Sequence, residues 1–325
     1  MIPFIVRRLI VAVGVLFVST FLMYIMVASS GDPLANLRSR NPPPPKSTIN
    51  ALADQLHLNK PVVVRYFYWL GDALQGNLGK DINGNAVSSQ LTARLGVTLR
   101  LVIVAMIVAV IFAVITGVVS AVKQYSVTDY TATFVGFVFI SLPVFWFAGL
   151  LKDLAIRLNN AAGSQILTFS GEKTPDYNGG FFGNLSDRAS HLILPTITLA
   201  LLSYATWSRY LRASMLDVLN ADYIRLARAK GVRWRRVMVR HGLRTALIPL
   251  TTQVALDTAA ILGGAVLTEN VFGWQGMGTM LVNGINAGDF NVILAWLTVA
   301  AIIVILFNLI ADLLYGVLDP RIRHA

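Results

Sequence analysis

The chain has 325 residues, of which 55% are hydrophobic and only 13% are charged, and its formal net charge is +11. A soluble domain usually carries about 25% charged residues, so this deficit of charge points to a protein of the lipid bilayer. The chain has no cysteine, which excludes disulfides, thiolate metal sites and thiol catalysis.

Long apolar segments predict an all-α integral membrane protein with six transmembrane helices. An α-helix of about 20 apolar residues crosses a hydrocarbon core of roughly 30 Å, and helix satisfies every backbone polar group there. The fourth segment is the shortest and weakest. The predicted spans are residues 9–29, 101–122, 130–151, 192–208, 245–267 and 292–318, between terminal segments 1–8 and 319–325.

The first apolar segment has two interpretations. It follows Arg7 and Arg8, as the core of a cleaved signal peptide would. However, it is longer than a usual signal-peptide core, and no clear small-residue cleavage site follows it. We therefore expect a retained transmembrane helix.

The charges are distributed unevenly between the two sides of the predicted membrane. A cytoplasmic N-terminus places 15 of the 27 Lys and Arg residues, but only four acids, on the cytoplasmic side. The other 12 basic and 12 acidic residues balance each other, so the whole net charge lies on one side. This positive-inside asymmetry explains the basic chain without nucleic acid, and it predicts that both termini are cytoplasmic.

Two predicted extracytoplasmic loops are long. Residues 30–100 contain a four-proline tract at 42–45, expected as extended polyproline II, and then two short helices, the second after Pro61. Residues 152–191 are rich in Gly, Asn and Ser, which predicts an irregular loop.

The most informative segment is the basic loop at residues 222–244, DYIRLARAKGVRWRRVMVRHGLR. Asp222 can cap a short helix, and Gly231 can end that helix because glycine adopts the left-handed C′ conformation without a side-chain penalty. A second short helix is predicted over 233–244. The small residues Ala227 and Ala229 would permit close approach of a partner, inside a rim of basic side chains.

This loop resembles the EAA loop of permease subunits of ABC-type importers, in the form typical of oligopeptide and dipeptide permeases. The resemblance lies in A-R-A-K-G at 227–231 and R-H-G-L-R-T-A-L-I-P at 240–249. It implies that the loop is a coupling helix that inserts into a cleft of an ATPase subunit. The alternative is a basic loop that only fixes topology. The implied coupling residues are Tyr223, Arg225, Ala227, Arg228, Ala229, Lys230 and Gly231.

Other segments extend the resemblance, in order, over nearly the whole chain. The EAA glutamate is absent, Gln275 stands where proline is usual, and the proline tract is not expected in the family. The matching segments are the G-D-P turn at 31–33, LNKPVVVRYFYWLGDALQGNLG at 58–79, residues 95–99, SLPVFW at 141–146, LTENVFGWQGMG at 267–278, and residues 312–315 and 318–323.

The resemblance implies the type I ABC importer permease fold, with residues 101–318 as the core permease domain, in a bacterial plasma membrane. It implies a second homologous permease, two ABC ATPase subunits, an extracytoplasmic substrate-binding protein and a peptide substrate, besides membrane lipid. Transport would proceed by alternating access. Nickel chelates and glutathione remain alternative cargoes.

The chain itself is predicted to be non-catalytic. It has no G-x-x-x-x-G-K-[ST] phosphate loop, so ATP and Mg²⁺ would be bound by the partner ATPase subunits and the chain would carry no cofactor. Its four histidines are too scattered along the sequence to suggest a metal site.

Polar and acidic residues within or near the predicted spans are candidates for a role in the transport pathway or in helix packing. Gln253, Asp257 and Thr258 could line a hydrated pathway, or Asp257 could make a polar contact with another helix. We expect a structural role for Asp312, and we expect Glu269, beyond the fifth span, to order an outer loop.

Two other functional classes remain. A proton- or sodium-driven secondary transporter would use Asp257 as a relay, but it typically has inverted repeats, and none is evident here. A scaffold or sensor would not need the glycine-ended basic loop.

Overall fold

The computed structural model describes residues 2–39, 42 and 44–318. The predicted cytoplasmic C-terminus at 319–325 lies outside the described residues, as does part of the proline tract. The described helices, in chain order, are α1 Ile2–Ser29, α2 Ala35–Arg38, α3 Lys46–Gln55, α4 Val62–Leu74, α5 Val87–Val122, α6 Val127–Ser141, α7 Val144–Ala162, α8 Gly180–Leu219, α9 Asp222–Ala229, α10 Trp234–Arg236, a π-helix Val237–Leu243, α11 Arg244–Leu256, α12 Thr258–Phe272, α13 Met277–Ala287 and α14 Phe290–Leu318.

Four of these helices are long and apolar enough to cross a membrane: α1, α5, α8 and α14. Two bent pairs, α6 with α7 and the helix over Trp234–Leu256 with α12, raise the number to as many as six if each pair is one span. These candidates overlap all six segments predicted from hydropathy, although their ends differ.

The third predicted span, residues 130–151, is divided between α6 and α7. The two helices meet at a bend of 104° at Leu142 and Pro143. Proline has no N–H to donate, and it disfavours helical geometry in the residue before it. Leu142 is accordingly extended, with φ −89° and ψ 127°.

The prediction of an irregular loop over residues 152–191 is wrong at both of its ends, where the chain is helical. Helix α7 continues to Ala162 and ends at Gly163, which has φ +65°. Helix α8 begins at Gly180 and runs for 40 residues, so that it extends beyond the fourth predicted span in both directions. Only residues 163–179 therefore lie between α7 and α8. The Asn and Ser residues that suggested a loop are compatible with a helix when the other faces of that helix are packed.

The described chain divides into two compact units. Unit 1 contains Met1–Thr98 and Gln275–Ile305, and unit 2 contains Leu99–Trp274 and Leu306–Ala325.

Unit 1 has an aromatic core built on α1 and α4. Tyr66 is fully buried, and its ring contacts Phe21 and Tyr24 edge-on at centroid distances of 5.0 and 5.7 Å. Its hydroxyl lies 3.0 Å from that of Thr20. Pro61 precedes α4, as predicted, because proline tolerates the position before the first helical turn.

Unit 2 is organised around α8, whose side chains Trp207, Leu211 and Met215 have no exposed surface. Helix α5 approaches α8 closely at Gly117, where a β-carbon would lie 2.9 Å from the carbonyl oxygen of Ser208. Small residues permit such close backbone contact between membrane helices.

Candidate coupling surface and membrane cavity

The short helix α9 follows directly after the long helix α8. It spans Asp222–Ala229, so the short helix predicted before Gly231 is present. The predicted capping role of Asp222 is wrong: the N-cap is Ala221, which offers no side-chain acceptor. Asp222 is the first helical residue, and its exposed carboxylate lies 3.8 Å from Arg225. A carboxylate there still favours the helix, since it faces the positive end of the helix dipole.

The end of α9 is a complete Schellman motif. Gly231 has φ +76° and its N–H donates to the Arg228 carbonyl at 2.9 Å. The N–H of Val232 donates to the Ala227 carbonyl at 3.3 Å. These two bonds satisfy carbonyls that a helix end otherwise leaves unpaired. The prediction that Gly231 ends this helix is therefore confirmed.

Helix α9 has one buried residue, on the face turned toward the protein. Ile224 is 1% exposed, and Ala227 is half-buried. The other proposed coupling residues, Tyr223, Arg225, Arg228, Ala229, Lys230 and Gly231, are all exposed. The seven residues therefore lie together on α9 and the two residues that follow it.

The structure adds apolar residues to this exposed face that the sequence argument missed. Leu226 is 57% exposed, Trp234 is 39% exposed and Val239 is 58% exposed. The sequence did contain a signal for these residues, because large apolar side chains in a strongly basic loop need either a core or a partner to cover them. We call the exposed residues of 223–239, both basic and apolar, the coupling surface.

A cation–π contact connects α9 to the next helical segment. The Arg228 guanidinium carbon lies 5.1 Å from the centroid of the Trp234 ring. Beyond Trp234 the backbone winds as a π-helix over Val237–Leu243, and then continues as α11 without interruption. Single π turns occur frequently at functional sites. The second short helix predicted over 233–244 is therefore the beginning of the fifth candidate span.

Asp257 lies at the break between α11 and α12, where the helix axis bends by 51°. Its Oδ2 accepts a hydrogen bond of 2.7 Å from Trp207 Nε1 on α8. Its Oδ1 accepts one of 3.0 Å from Gln253 Nε2. Asp257 therefore makes the polar helix contact that was one of its two predicted roles.

The same carboxylate also borders a cavity of about 240 Å³. Thr258 has no exposed surface, and its hydroxyl donates to the Val254 carbonyl, so it does not line this space. Of the three predicted pathway residues, Asp257 alone reaches the cavity. The other lining residues are Val144, Leu199, Leu202, Ser203, Thr206, Ala260, Ile261 and Gly264.

The position predicted for Glu269, past the end of the fifth helix, is wrong. It lies within α12, which continues to Phe272, and it has no exposed surface. It therefore belongs to the packed interior of unit 2 and not to a loop beyond the span.

The sequence comparisons place these features in a family. The family model described as "Binding-protein-dependent transport system inner membrane component" matches residues 113–324, which include α9, Gly231 and Asp257. The chain belongs to this family. It is an all-α, multi-pass inner-membrane component with the type I importer permease fold, and the resemblance stated from its motifs is confirmed.

Several curated members of the family are similar to the chain over their full length. The oligopeptide transport system permease protein OppB of Mycobacterium tuberculosis is 41% identical over 320 residues, covering 98% of both chains. The corresponding AppB of Bacillus subtilis is 38% identical and covers all of both chains. The dipeptide transport system permease protein DppB of Escherichia coli is 34% identical, covering 100% of this chain and 99% of its own.

Proposed function

We propose that this chain is one permease subunit of an ATP-driven peptide importer and forms half of its transmembrane pathway. Full-length similarity to proteins named as oligopeptide and dipeptide permeases supports peptide cargo. Nickel chelates and glutathione are the alternative cargoes, and no feature of the cavity favours either of them.

The coupling surface supports energy input from separate ATPase subunits. A partner's motion can move the membrane helices only through a stiff element that is packed against them. Helix α9 meets that requirement, because a Schellman motif fixes its end and Ile224 anchors its inner face. Its exposed Leu226, Tyr223 and basic side chains offer a partner apolar contact with a charged rim. The observation that carries the coupling role is this combination of an anchored inner face and an unpartnered mixed outer face.

The proposed complex contains a second homologous permease, two ATPase subunits that bind ATP and Mg²⁺, and an extracytoplasmic substrate-binding protein. In the proposed cycle, closure of the ATPase dimer moves the coupling surface and opens the pathway outward. Hydrolysis then returns the pathway to the inward-facing state. This cycle requires no catalytic group in the permease chain itself.

The substitution Gly231→Asp tests the coupling role. A non-glycine residue in the left-handed region costs about 1–2 kcal/mol, so the variant should distort the end of α9. Open space surrounds Gly231, so the damage should remain local. We expect normal membrane insertion, a loss of peptide uptake, and about tenfold or greater loss of ATPase co-purified in mild detergent.

A matched control is Gly163→Asp, at the end of α7. Gly163 also has positive φ, at +65°, and also faces open space, but it lies outside the coupling surface. The control should retain its ATPase and transport peptide. Equal loss in both variants, or unchanged ATPase binding in Gly231→Asp, would contradict the coupling role.

A further inference from the structure

Arg65 is a buried cation whose hydrogen-bonding capacity is only partly used. This α4 residue of unit 1 is 7% exposed, and its Nε donates to the Leu56 carbonyl at 3.2 Å. The guanidinium lies 5.8 Å from the centre of the Phe290 ring and interacts electrostatically with the Tyr24 hydroxyl. Its Nη2 is buried and has no acceptor. Among the side chains that the structure describes, no carboxylate forms an ion pair with Arg65.

Trp69 repeats this pattern one helical turn later. Its indole Nε1 is also buried without an acceptor. Residues four apart in a helix lie on the same face, and Arg65 and Trp69 both line one small cavity. A buried donor without an acceptor is costly, and a buried charge without a counter-charge is more costly still. Two such donors at one cavity therefore indicate a ligand that accepts hydrogen bonds and carries negative charge.

The size of the cavity restricts that ligand. Its volume is about 40 Å³, and a single water molecule needs roughly 10–15 Å³ by this measure. The space thus admits about three heavy atoms, the number in one carboxylate group. Polar groups complete much of the lining. They come from Gln55, His57, Asp72, Asn77 and Asn291.

Arginine is well suited to a carboxylate, because its planar N–H groups match the two carboxylate oxygens. Asp72 is exposed and is the one acidic residue in this lining. Its negative charge favours a singly charged ligand over a doubly charged one such as phosphate.

We propose that this pocket, lined by Arg65 and Trp69, binds one carboxylate group. One oxygen would accept from Arg65 Nη2 and the other from Trp69 Nε1. The carboxylate belongs either to a small free acid or to the end of a polypeptide chain. The proposal does not depend on peptide transport, because it concerns only groups within unit 1.

Acetate is the simplest probe, and the purified full-length chain in detergent is the sample. We expect saturation-transfer NMR to show the acetate methyl signal bound to the wild-type protein. We also expect sodium acetate, but not sodium chloride at the same ionic strength, to raise the melting temperature by about 2–3 °C. Triglycine and triglycine amide then distinguish the sources: displacement of acetate by triglycine alone shows that the pocket accepts a peptide terminus, and no displacement restricts it to small free acids.

Three variants test the assignment. Arg65→Gln should abolish both acetate effects. Trp69→Phe keeps the ring but removes the N–H, and it should weaken acetate binding about fivefold, which corresponds to the loss of one hydrogen bond. Arg157→Gln removes an arginine that is 76% exposed and lies outside the pocket, so it should bind acetate as the wild type does.

If Arg65→Gln does not fold, Trp69→Phe still decides the question, because it leaves the buried charge in place. The proposal is overturned if acetate shows no saturable signal with the wild type, which would mean that water alone fills the pocket. It is also overturned if Trp69→Phe binds acetate as tightly as the wild type, or if chloride stabilises the protein equally.

Discussion

Asp289 and Asp81 are neighbouring carboxylates whose pKa values move in opposite directions. Asp289 accepts backbone hydrogen bonds from Ile82 at 2.7 Å and Val292 at 3.1 Å. Its burial, aided by the negative charge of Asp81, nevertheless raises its pKa above the ordinary 3.8. Burial would also raise the pKa of Asp81, but hydrogen bonds from Asn85, Gln90 and Asn83 outweigh that effect and hold it below 3.8.

This difference predicts a pH dependence of stability. A carboxyl whose folded pKa is raised binds its proton more tightly in the folded state, so stability falls as the pH rises from the unfolded to the folded pKa. For Asp289 this range of pH lies above 3.8. The stability contributed by Asp81, whose pKa is lowered, is lost only as the pH falls below 3.8. We expect the melting temperature of the wild type, measured relative to Asp289→Asn, to fall as the pH rises above 3.8.

The variant Asp54→Asn, which removes an exposed carboxylate from the same unit, controls for loss of charge. A wild-type melting temperature that stays constant or rises with pH, relative to that of Asp289→Asn, would contradict the raised pKa.

The hydrogen bond from Trp207 to Asp257 gives a second residue-level prediction. Trp207 has no exposed surface, and Trp207→Phe would remove the only N–H donor that this ring offers to Asp257 Oδ2. We expect the free energy of unfolding to fall by about 1–3 kcal/mol, because a half-buried carboxylate oxygen loses its partner. Thermal denaturation in detergent measures the effect. Trp146→Phe, at a ring that is 48% exposed, should change stability little, and an equal loss in both variants would count against the hydrogen bond.

At the scale of elements, one ion pair joins the beginning of α6 to α8. Arg212 donates from Nε and Nη2 to the two oxygens of Asp129, each at 2.7 Å. The Asp129 side chain is 3% exposed and that of Arg212 is 27% exposed. The geometry is bidentate, and the pair lies about two helical turns before the end of α8, from which α9 projects. It therefore fixes the helix that carries the coupling surface.

This pair predicts an asymmetric double-variant cycle. Arg212→Met should cost about 3 kcal/mol of stability, because it leaves Asp129 buried and uncompensated. Asp129→Leu should cost less, since the freed Arg212 can reach water. The double variant should recover much of the loss, as apolar replacements of buried ion pairs often do. Strictly additive losses, measured by thermal denaturation, would contradict coupling between the two residues.

The elements also show which features local sequence determines. The end of α9 at Gly231 was predictable because a Schellman motif depends on residues a few positions apart. The bend at Pro143 was indicated by the proline itself. The sequence is apolar on both sides of this proline, so hydropathy alone predicted one continuous span. The burial of Ile224 and Glu269, and the exposure of Leu226, depend on packing between distant segments, which a local pattern does not contain.

At the scale of the whole molecule, the orientation proposed from the charge asymmetry can be tested directly, because the natural chain contains no cysteine. Single cysteines at Ser47, Gln124 and Asn178 can each be introduced at an exposed position. Treating intact cells with a membrane-impermeant maleimide should label Ser47→Cys, since residues 30–100 are proposed to be extracytoplasmic. Gln124→Cys, in the turn between α5 and α6, should react only after the membrane is opened. Labelling of Gln124→Cys in intact cells would invert the proposed orientation.

Asn178→Cys decides how the bent pair α6 and α7 meets the membrane. If the pair is one broken span, residues 163–179 lie on the opposite side from Gln124, and Asn178→Cys reacts in intact cells. If the 104° bend instead returns the chain to its starting side, Asn178→Cys is protected together with Gln124→Cys. We expect the first result, because α6 and α7 together match an apolar segment that also fits the charge asymmetry. If the other bent pair is one span, the second result would leave five crossings, and the chain ends would then lie on opposite sides of the membrane.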